Sequence, residues 1–263
     1  MRYGVCVDPQ MASAVAAAGF DFIELNVQGH LKTMEEEPAF SAELARIKAA
    51  PLPAIAANSF VPGNLKITGP EPASDAALEA YARRTFKRAH AAGVATVVFG
   101  SGGARAIPDG FDRGQAWEQL VRFGKMLGPV AEKYGVTVVV EPLNKTRGEC
   151  NVLTSVGESA QYVKDVDHPS MMLLVDGYHW GLDNDSYDDL VANAYLLRHV
   201  HIATVEHRLP PGFEPSDFSS FFRALKAGGY DGPISIEAKW DNVEEQAEHA
   251  YAVLTGLARE AGL

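Results

Sequence analysis

Val136 to Asn144 reads VTVVVEPLN, an unbroken run of β-branched residues that stops at a carboxylate and a proline. A run without polar alternation is typical of a strand covered on both faces, as in a parallel sheet between helices. Pro142 cannot donate a ladder hydrogen bond, so the strand is predicted to end at Glu141. Functional groups collect at the carboxyl ends of barrel strands, which makes Glu141 a candidate site residue.

Three later stretches repeat this pattern of an apolar strand that ends on an ionisable residue. They are MMLLVD at Met171–Asp176, RHVH at Arg198–His201 and PISIE at Pro233–Glu237. The strand ends therefore supply Glu141, Asp176, His201 and Glu237.

Strand and helix patterns alternate along the whole chain in eight pairs, the rhythm of a parallel α/β sheet. The other predicted strands are Tyr3–Val7, Phe22–Leu25, Ala54–Ala57 and Ala95–Phe99. The predicted helices are about Met11–Ala18, Ala39–Ala49, Asp75–Ala92, Gly114–Tyr134, Ser155–Val166, Asp185–Leu197, Ser216–Ala227 and Val243–Ala261. Because α/β barrels take about 250 residues in one unit, the 263 residues are predicted to form a single (β/α)8 TIM barrel domain spanning residues 1–263.

The net charge of −11 disfavours a nucleic-acid partner, whose phosphates the protein would repel. No segment approaches about 18 uninterrupted apolar residues, and the start MRYGVCVDP lacks the apolar core of a signal peptide. Two cysteines without CxxC spacing do not make a disulfide framework. We therefore expect a cytoplasmic protein without a membrane partner.

Three carboxylates and an imidazole that converge on one face would repel one another unless a cation lay among them. An isolated acidic residue after a strand is more often a helix cap or a loop charge. Four successive strand ends without a basic residue argue against coincidence. Oxygen-rich ligation with one nitrogen favours Mn²⁺, Mg²⁺ or Co²⁺ over a zinc site built from Cys and His.

Seven short motifs, spread over nearly the whole chain, together resemble the sugar isomerase/epimerase family with the xylose isomerase-like barrel. They are FIELN at Phe22–Asn26, EPLN at Glu141–Asn144, ECN at Glu149–Asn151, LLVDGYHW at Leu173–Trp180, HVHIA at His199–Ala203, HRLPPG at His207–Gly212 and GYDGPISIE at Gly229–Glu237. The branch they resemble is the tagatose and psicose 3-epimerase group. The resemblance implies a divalent metal, commonly Mn²⁺ with Mg²⁺, Co²⁺ or Zn²⁺ as alternatives, a small sugar substrate, and a homodimer or homotetramer.

The resemblance also implies roles for individual residues. Glu141 and Glu237 match the family's acid/base pair, and the metal ligands are these two together with Asp176 and His201. The matching substrate-binding residues are Glu149, His179 and Arg208. Two links depart from the family: Lys145–Gly148, before Glu149, is longer than usual, and the spacing from His201 to Arg208 is one residue longer.

Two glutamates three strands apart can approach a sugar from opposite faces, so that one removes a proton and the other returns one. This arrangement inverts a carbon, whereas return of the proton to the neighbouring carbon gives aldose–ketose (hydroxypyruvate-type) isomerisation, and the residues alone do not choose between the two. The resemblance to the 3-epimerase group implies C3 epimerisation of a ketose. A keto-inositol dehydratase would use the same proton abstraction. An abasic-site endonuclease of the same superfold would need a histidine-rich zinc site, and a sugar-binding protein without turnover would not need two glutamates.

Several residues carry weaker signals. Glu24, at the mouth of the second strand, is either a group behind the site or a structural partner. GSGG at Gly100–Gly103, with Arg105 close behind, is either a phosphate cradle or a plain tight turn. Trp180 and Trp240 are either walls of the sugar pocket or packing between loops. His199 is expected to point away from the site.

Overall fold

Eight parallel strands close into a barrel in the computed structural model, which describes all 263 residues. The strands are β1 Tyr3–Cys6, β2 Phe22–Asn26, β3 Ala54–Asn58, β4 Thr96–Phe99, β5 Thr137–Val140, β6 Met171–Asp176, β7 Leu197–Ile202 and β8 Ile234–Ile236. They pair in chain order, and β8 closes the ring against β1 with Tyr3 opposite Ile234. The predicted (β/α)8 barrel is confirmed.

The eight predicted helices surround the barrel in the predicted order, and two short helices that were not predicted follow β4 and β6. They are α1 Ala12–Ala17, α2 Glu37–Ala49, α3 Asp75–Ala92, α4 Gly102–Arg105, α5 Arg113–Lys133, α6 Val156–Val166, α7 Gly177–Leu182, α8 Tyr187–Asn193, α9 Ser219–Ala227 and α10 Val243–Ala261. The bounds of α3 and α10 match the prediction to the residue because both ends carry clear signals. In α3, for example, the Ser74 hydroxyl accepts from Ala77 N and Gly93 takes the left-handed conformation at φ 85°.

The structure differs from the sequence-based prediction at the loops that follow β2 and β6. Val27–Leu31 forms a π-helical turn, and α7 begins directly after β6; neither was predicted. In both cases the last strand residue caps the turn: Asn26 Oδ1 accepts from Gly29 N, and Asp176 Oδ1 from Tyr178 N. The predicted helix Asp185–Leu197 is shorter in the structure, where α8 ends at Asn193 and a 3-10 turn leads into β7.

Side-chain alternation brings the strand ends together inside the barrel. Residues two apart on a strand share a face, so Glu141 follows Val139 inward and Asp176 follows Leu174; Val139 and Leu174 belong to a small buried cluster apart from the main core. The opposite faces of the strands pack against the helices in the large hydrophobic core.

None of the helices combines the length and apolar character needed to cross a membrane.

Candidate active site

The four predicted strand-end groups meet at the carboxyl end of the barrel. Glu141, Asp176, His201 and Glu237 each offer one ligand atom, and these atoms lie within 4.8 Å of one another. His201 Nδ1 lies 3.3 Å from Glu141 Oε1 and 3.4 Å from Glu237 Oε2. Asp176 and His201 are fully buried, whereas the two glutamates reach a pocket.

Asp176 uses one carboxylate oxygen for structure and leaves the other facing the group. Oδ1 accepts from Tyr178 N at 2.9 Å, at the start of α7. Oδ2 is buried without a hydrogen-bond partner, and its cationic neighbour Arg208 lies 3.6 Å away at Nη2. A buried carboxylate oxygen without a partner is unfavourable unless a cation or donor satisfies it.

The electrostatics of the group also fit a bound cation. Burial raises the pKa of Asp176 to about 7, with Arg208 opposing and the other two carboxylates adding to the shift. Burial likewise raises the pKa of Glu141. Because the pKa values of Asp176 and Glu141 stay raised despite Arg208, these residues fit a divalent cation with oxygen-rich ligation.

Glu237 is held on both of its oxygens. Asn58, at the end of β3, donates from Nδ2 to Oε1 at 2.7 Å, and Arg208 Nη2 donates to Oε2 at 2.5 Å. Although burial opposes ionisation, His201 and Arg208 lower the pKa of Glu237. Sequence reasoning missed Asn58, although its position as the last residue of a strand was the available signal.

Glu24 lies below the group, inside the barrel, and accepts hydrogen bonds from two histidines of β7. Its Oε1 lies 2.9 Å from His201 Nε2, and its Oε2 lies 2.7 Å from His199 Nε2. Although burial opposes its charge, His201 and His199 hold the pKa of Glu24 well below its usual value. The prediction that His199 points away from the site is wrong, because residues 199 and 201 are two apart and share the inner face.

The three predicted substrate-binding residues lie above the group at the pocket. Arg208 stacks over the Tyr178 ring with its guanidinium carbon 4.6 Å from the ring centroid, and its Nη1 lies 3.9 Å from Glu149 Oε2. His179 Nε2 lies 3.6 Å from Asp176 Oδ2 and 4.0 Å from Glu149 Oε2. Glu149 therefore reaches the pocket despite the longer link that precedes it.

Arg208 lies in a turn after β7 that hydrogen bonds between Thr204 and Leu209 close. Thr204 N donates to Leu209 O at 2.9 Å, and Thr204 Oγ1 accepts from Leu209 N at 2.8 Å. Arg208 itself adopts φ 60°, the left-handed conformation that non-glycine residues rarely take. Two hydrogen bonds hold the backbone of Arg208 in this conformation: its N–H donates to Thr204 O at 3.1 Å, and its carbonyl oxygen accepts from Lys239 N at 2.7 Å.

The pocket has a volume of about 290 Å³ and is mainly polar. Five of the seven predicted site residues line it, and Asp176 and His201 lie beneath. The pocket is also lined by Gly100–Gly103, Ser59 and Gln28. A Cβ on Gly100 would collide with Glu141 Oε2, so only glycine allows this close approach.

Three residues with weaker sequence signals, Arg105, Trp180 and Trp240, lie outside the pocket. Arg105 does not reach the pocket; it is fully buried and donates to the carbonyl oxygens of Phe99, Glu141 and Leu153. Trp180 and Trp240 do not line the pocket, and Trp180 packs on Phe221 with ring centroids 5.6 Å apart. Both tryptophans pack against the main hydrophobic core.

The sequence matches a known protein family and two characterised epimerases. A family model described as xylose isomerase-like TIM barrel matches residues 12–257. A ketose 3-epimerase of Arthrobacter globiformis is 34% identical over 116 residues, which are 43% of this chain and 39% of that protein. An L-ribulose 3-epimerase of Methylomonas sp. strain DH-1 is 33% identical over 113 residues, 43% of this chain and 38% of that protein. The aligned part thus spans about two fifths of the length of each of these relatives.

A solved structure gives a match over the whole chain. The D-allulose 3-epimerase from Methylomonas sp. superimposes with a TM-score of 0.83 at 22% identity and covers 98% of both chains. At this identity the superposition establishes a common fold.

Proposed function

This chain belongs to the xylose isomerase-like TIM barrel family, and on that premise we propose that it is a divalent-metal-dependent sugar epimerase that inverts C3 of a ketose. One observation carries the proposal: acid/base and ligand groups from four successive strands lie within 4.8 Å of one another. The two 3-epimerase relatives support the choice of reaction.

Glu141, Asp176, His201 and Glu237 would hold the cation. The partnerless Asp176 Oδ2 and the crowding of three buried carboxylates fit such a group. When bound, the cation would act as a Lewis acid that makes the hydrogen beside a ketone more acidic. The ligand set, with three carboxylates, favours Mn²⁺, and Mg²⁺, Co²⁺ and Zn²⁺ are the alternatives.

Glu141 and Glu237 would move the proton. They follow β5 and β8, three strands apart around the ring, so a sugar between them presents opposite faces to the two carboxylates. One glutamate takes the proton from C3, and the electron pair of the C–H bond moves into the C2 carbonyl to give an enediolate. The other glutamate returns a proton to the opposite face, which restores the ketone with C3 inverted. Positioned acid/base groups contribute about 10²- to 10⁴-fold to such steps.

Arg208, His179 and Glu149 would orient the sugar. Arg208 supplies guanidinium donors beside Glu237 and Asp176. Burial, with a smaller contribution from Arg208, lowers the pKa of His179 to about 3, so this ring is neutral at pH 7 and donates a hydrogen bond without carrying charge. Glu149 can accept from a sugar hydroxyl at the same edge of the pocket.

The test is to incubate the metal-loaded protein with a panel of substrates and to identify products by NMR. The panel contains free and phosphorylated ketoses, hydroxypyruvate, keto-inositols and abasic DNA. We expect C3 epimers of a ketose to form, and chelation to stop their formation. Aldose products, dehydration or strand cleavage without epimerisation would replace the proposed reaction with the corresponding alternative. The homodimer or homotetramer stays a prediction, which sedimentation would test.

A further inference from the structure

We propose that Asn144, which no sequence argument above assigns a role, is a positioning residue that fixes the tautomer of His179 and the orientation of Glu149. The catalytic consequence rests on the proposed function, whereas the tautomer itself does not. Asn144 is fully buried directly behind both side chains.

The contacts of Asn144 define which end of its amide is which. Oδ1 accepts from the backbone N–H of Arg147 at 2.8 Å. The other end must therefore be the NH₂ group, whose two hydrogens can serve two acceptors. Nδ2 lies 2.8 Å from Glu149 Oε1 and 2.7 Å from His179 Nδ1, so both hydrogens have a partner.

This arrangement leaves His179 only one neutral form. Its Nδ1 faces the Asn144 side-chain NH₂ and also accepts from the Asn144 backbone N–H at 3.2 Å. A ring nitrogen that faces two N–H donors must carry the lone pair, so the single proton of the neutral ring lies on Nε2. His179 Nε2 is buried without any partner in the protein, at the edge of the pocket. Its nearest acceptors, Asp176 Oδ2 at 3.6 Å and Glu149 Oε2 at 4.0 Å, lie beyond hydrogen-bond distance, so the Nε2–H group can donate to a ligand in the pocket.

The same residue also closes the link before Glu149 through its backbone. The backbone carbonyl oxygen of Asn144 accepts from Glu149 N at 3.2 Å, which brings Glu149 back beside Asn144 after residues 145–148. The Asn144 side chain holds Glu149 Oε1, and Oε2 is left toward Arg208 Nη1 at 3.9 Å. One buried amide therefore presents an N–H on His179 and a carboxylate oxygen on Glu149 to the same edge of the pocket.

Asn144→Asp tests the proposal with almost no change in shape. The new carboxylate has no hydrogen to donate, repels Glu149 and can only accept a hydrogen bond from an Nδ1–H group of His179. We expect the His179 proton to move from Nε2 to Nδ1, so that a lone pair faces the substrate. Loss of one preorganised donor lowers kcat by about 10²-fold, and we expect KM and metal stoichiometry to change little.

The tautomer is read directly by ¹⁵N NMR of histidine-labelled protein without metal, with the His179 signals assigned from a His179→Gln variant. Asn193→Asp is the matched control, since Asn193 is also buried, lies away from the pocket and donates to a backbone carbonyl. We expect the control to keep wild-type kcat and the wild-type tautomer of His179.

Two results would overturn the proposal. Wild-type protein with the His179 proton on Nδ1 would do so without any variant, so the test survives if Asn144→Asp does not fold. An Asn144→Asp protein that switches tautomer and retains wild-type kcat would show that the tautomer has no catalytic consequence. If the chain epimerises no sugar while His179 carries its proton on Nε2, the proposed function fails and the assignment of the tautomer stands.

Discussion

Replacement of Arg208 by alanine separates substrate binding from metal binding. The guanidinium lies 2.5 Å from Glu237 Oε2 and 3.6 Å from Asp176 Oδ2, and its side chain is only 21% exposed. A hydrogen bond to a charged group is worth about 1.5–3 kcal/mol. If Arg208 makes one such bond to the sugar, Arg208→Ala should lower kcat/KM by about 10- to 150-fold, since about 1.4 kcal/mol is tenfold.

The same variant should not weaken metal binding. Asn58 still holds Oε1 of Glu237 at 2.7 Å, so the ligand keeps its place. Loss of the Arg208 guanidinium makes the group of carboxylates more negative, which favours binding of a divalent ion. We therefore expect the Kd of the metal ion to stay equal or fall. Kd is measured by competition with a chromogenic chelator, and kcat/KM with the ketose that the panel identifies.

Arg147→Ala is the matched control. Its guanidinium carbon also lies near the Tyr178 ring, at 5.8 Å from the centroid, but it donates to the backbone carbonyl of Glu206 and pairs with no carboxylate. This variant should keep wild-type kcat/KM. If Arg208→Ala loses stoichiometric metal, or keeps wild-type kcat/KM, the assignment of Arg208 to the substrate is refuted.

Three further predictions concern the residues that support the metal group. Glu24→Gln should weaken metal affinity by about 10- to 100-fold, because Glu24 orients the His201 ring; chelator competition measures this, and unchanged affinity would contradict it. Gly100→Ala should displace the Glu141 carboxylate and lower kcat by at least about tenfold with little change in Tm; wild-type kcat would show that the contact is dispensable. In EDTA, the free energy of unfolding should fall as pH rises from 6.5 to 8. Folding raises the pKa of Asp176 from 3.8 to about 7 and raises that of His201 well above 6.5, so the folded chain binds more protons than the unfolded chain in this range. Excess Mn²⁺ should remove this dependence, and a Tm that rises with pH in EDTA would contradict the sign.

The strand pattern predicted the barrel and the meeting of the four groups because both follow from local rules. Buried parallel strands show as apolar runs, and parallel strands in one barrel end at one rim. Alternation then fixes the face on which each strand-end residue lies. The first and last residues of a helix with clear caps, such as α3 between Ser74 and Gly93, could be predicted correctly.

The partners of the strand-end groups could not be predicted, because they join distant parts of the chain. Glu24 meets His201 across 177 positions, and Asn58 meets Glu237 across 179. No local signal specifies which amide or carboxylate lies opposite after the barrel closes. The orientation of His199 is different, since alternation with His201 was sufficient to predict its inward face.

The central claim is that Glu141 and Glu237 invert C3 by exchanging protons through an enediolate. The most direct measurement is conversion of the ketose by the metal-loaded wild type in D₂O, with the product analysed by NMR. Bases that exchange their protons with solvent between turnovers should place deuterium on C3 of the product. Glu141→Gln and Glu237→Gln should each lose interconversion by at least about 10²-fold. Product without deuterium, with the substrate hydrogen moved between carbons as hydride, would contradict the two-base account.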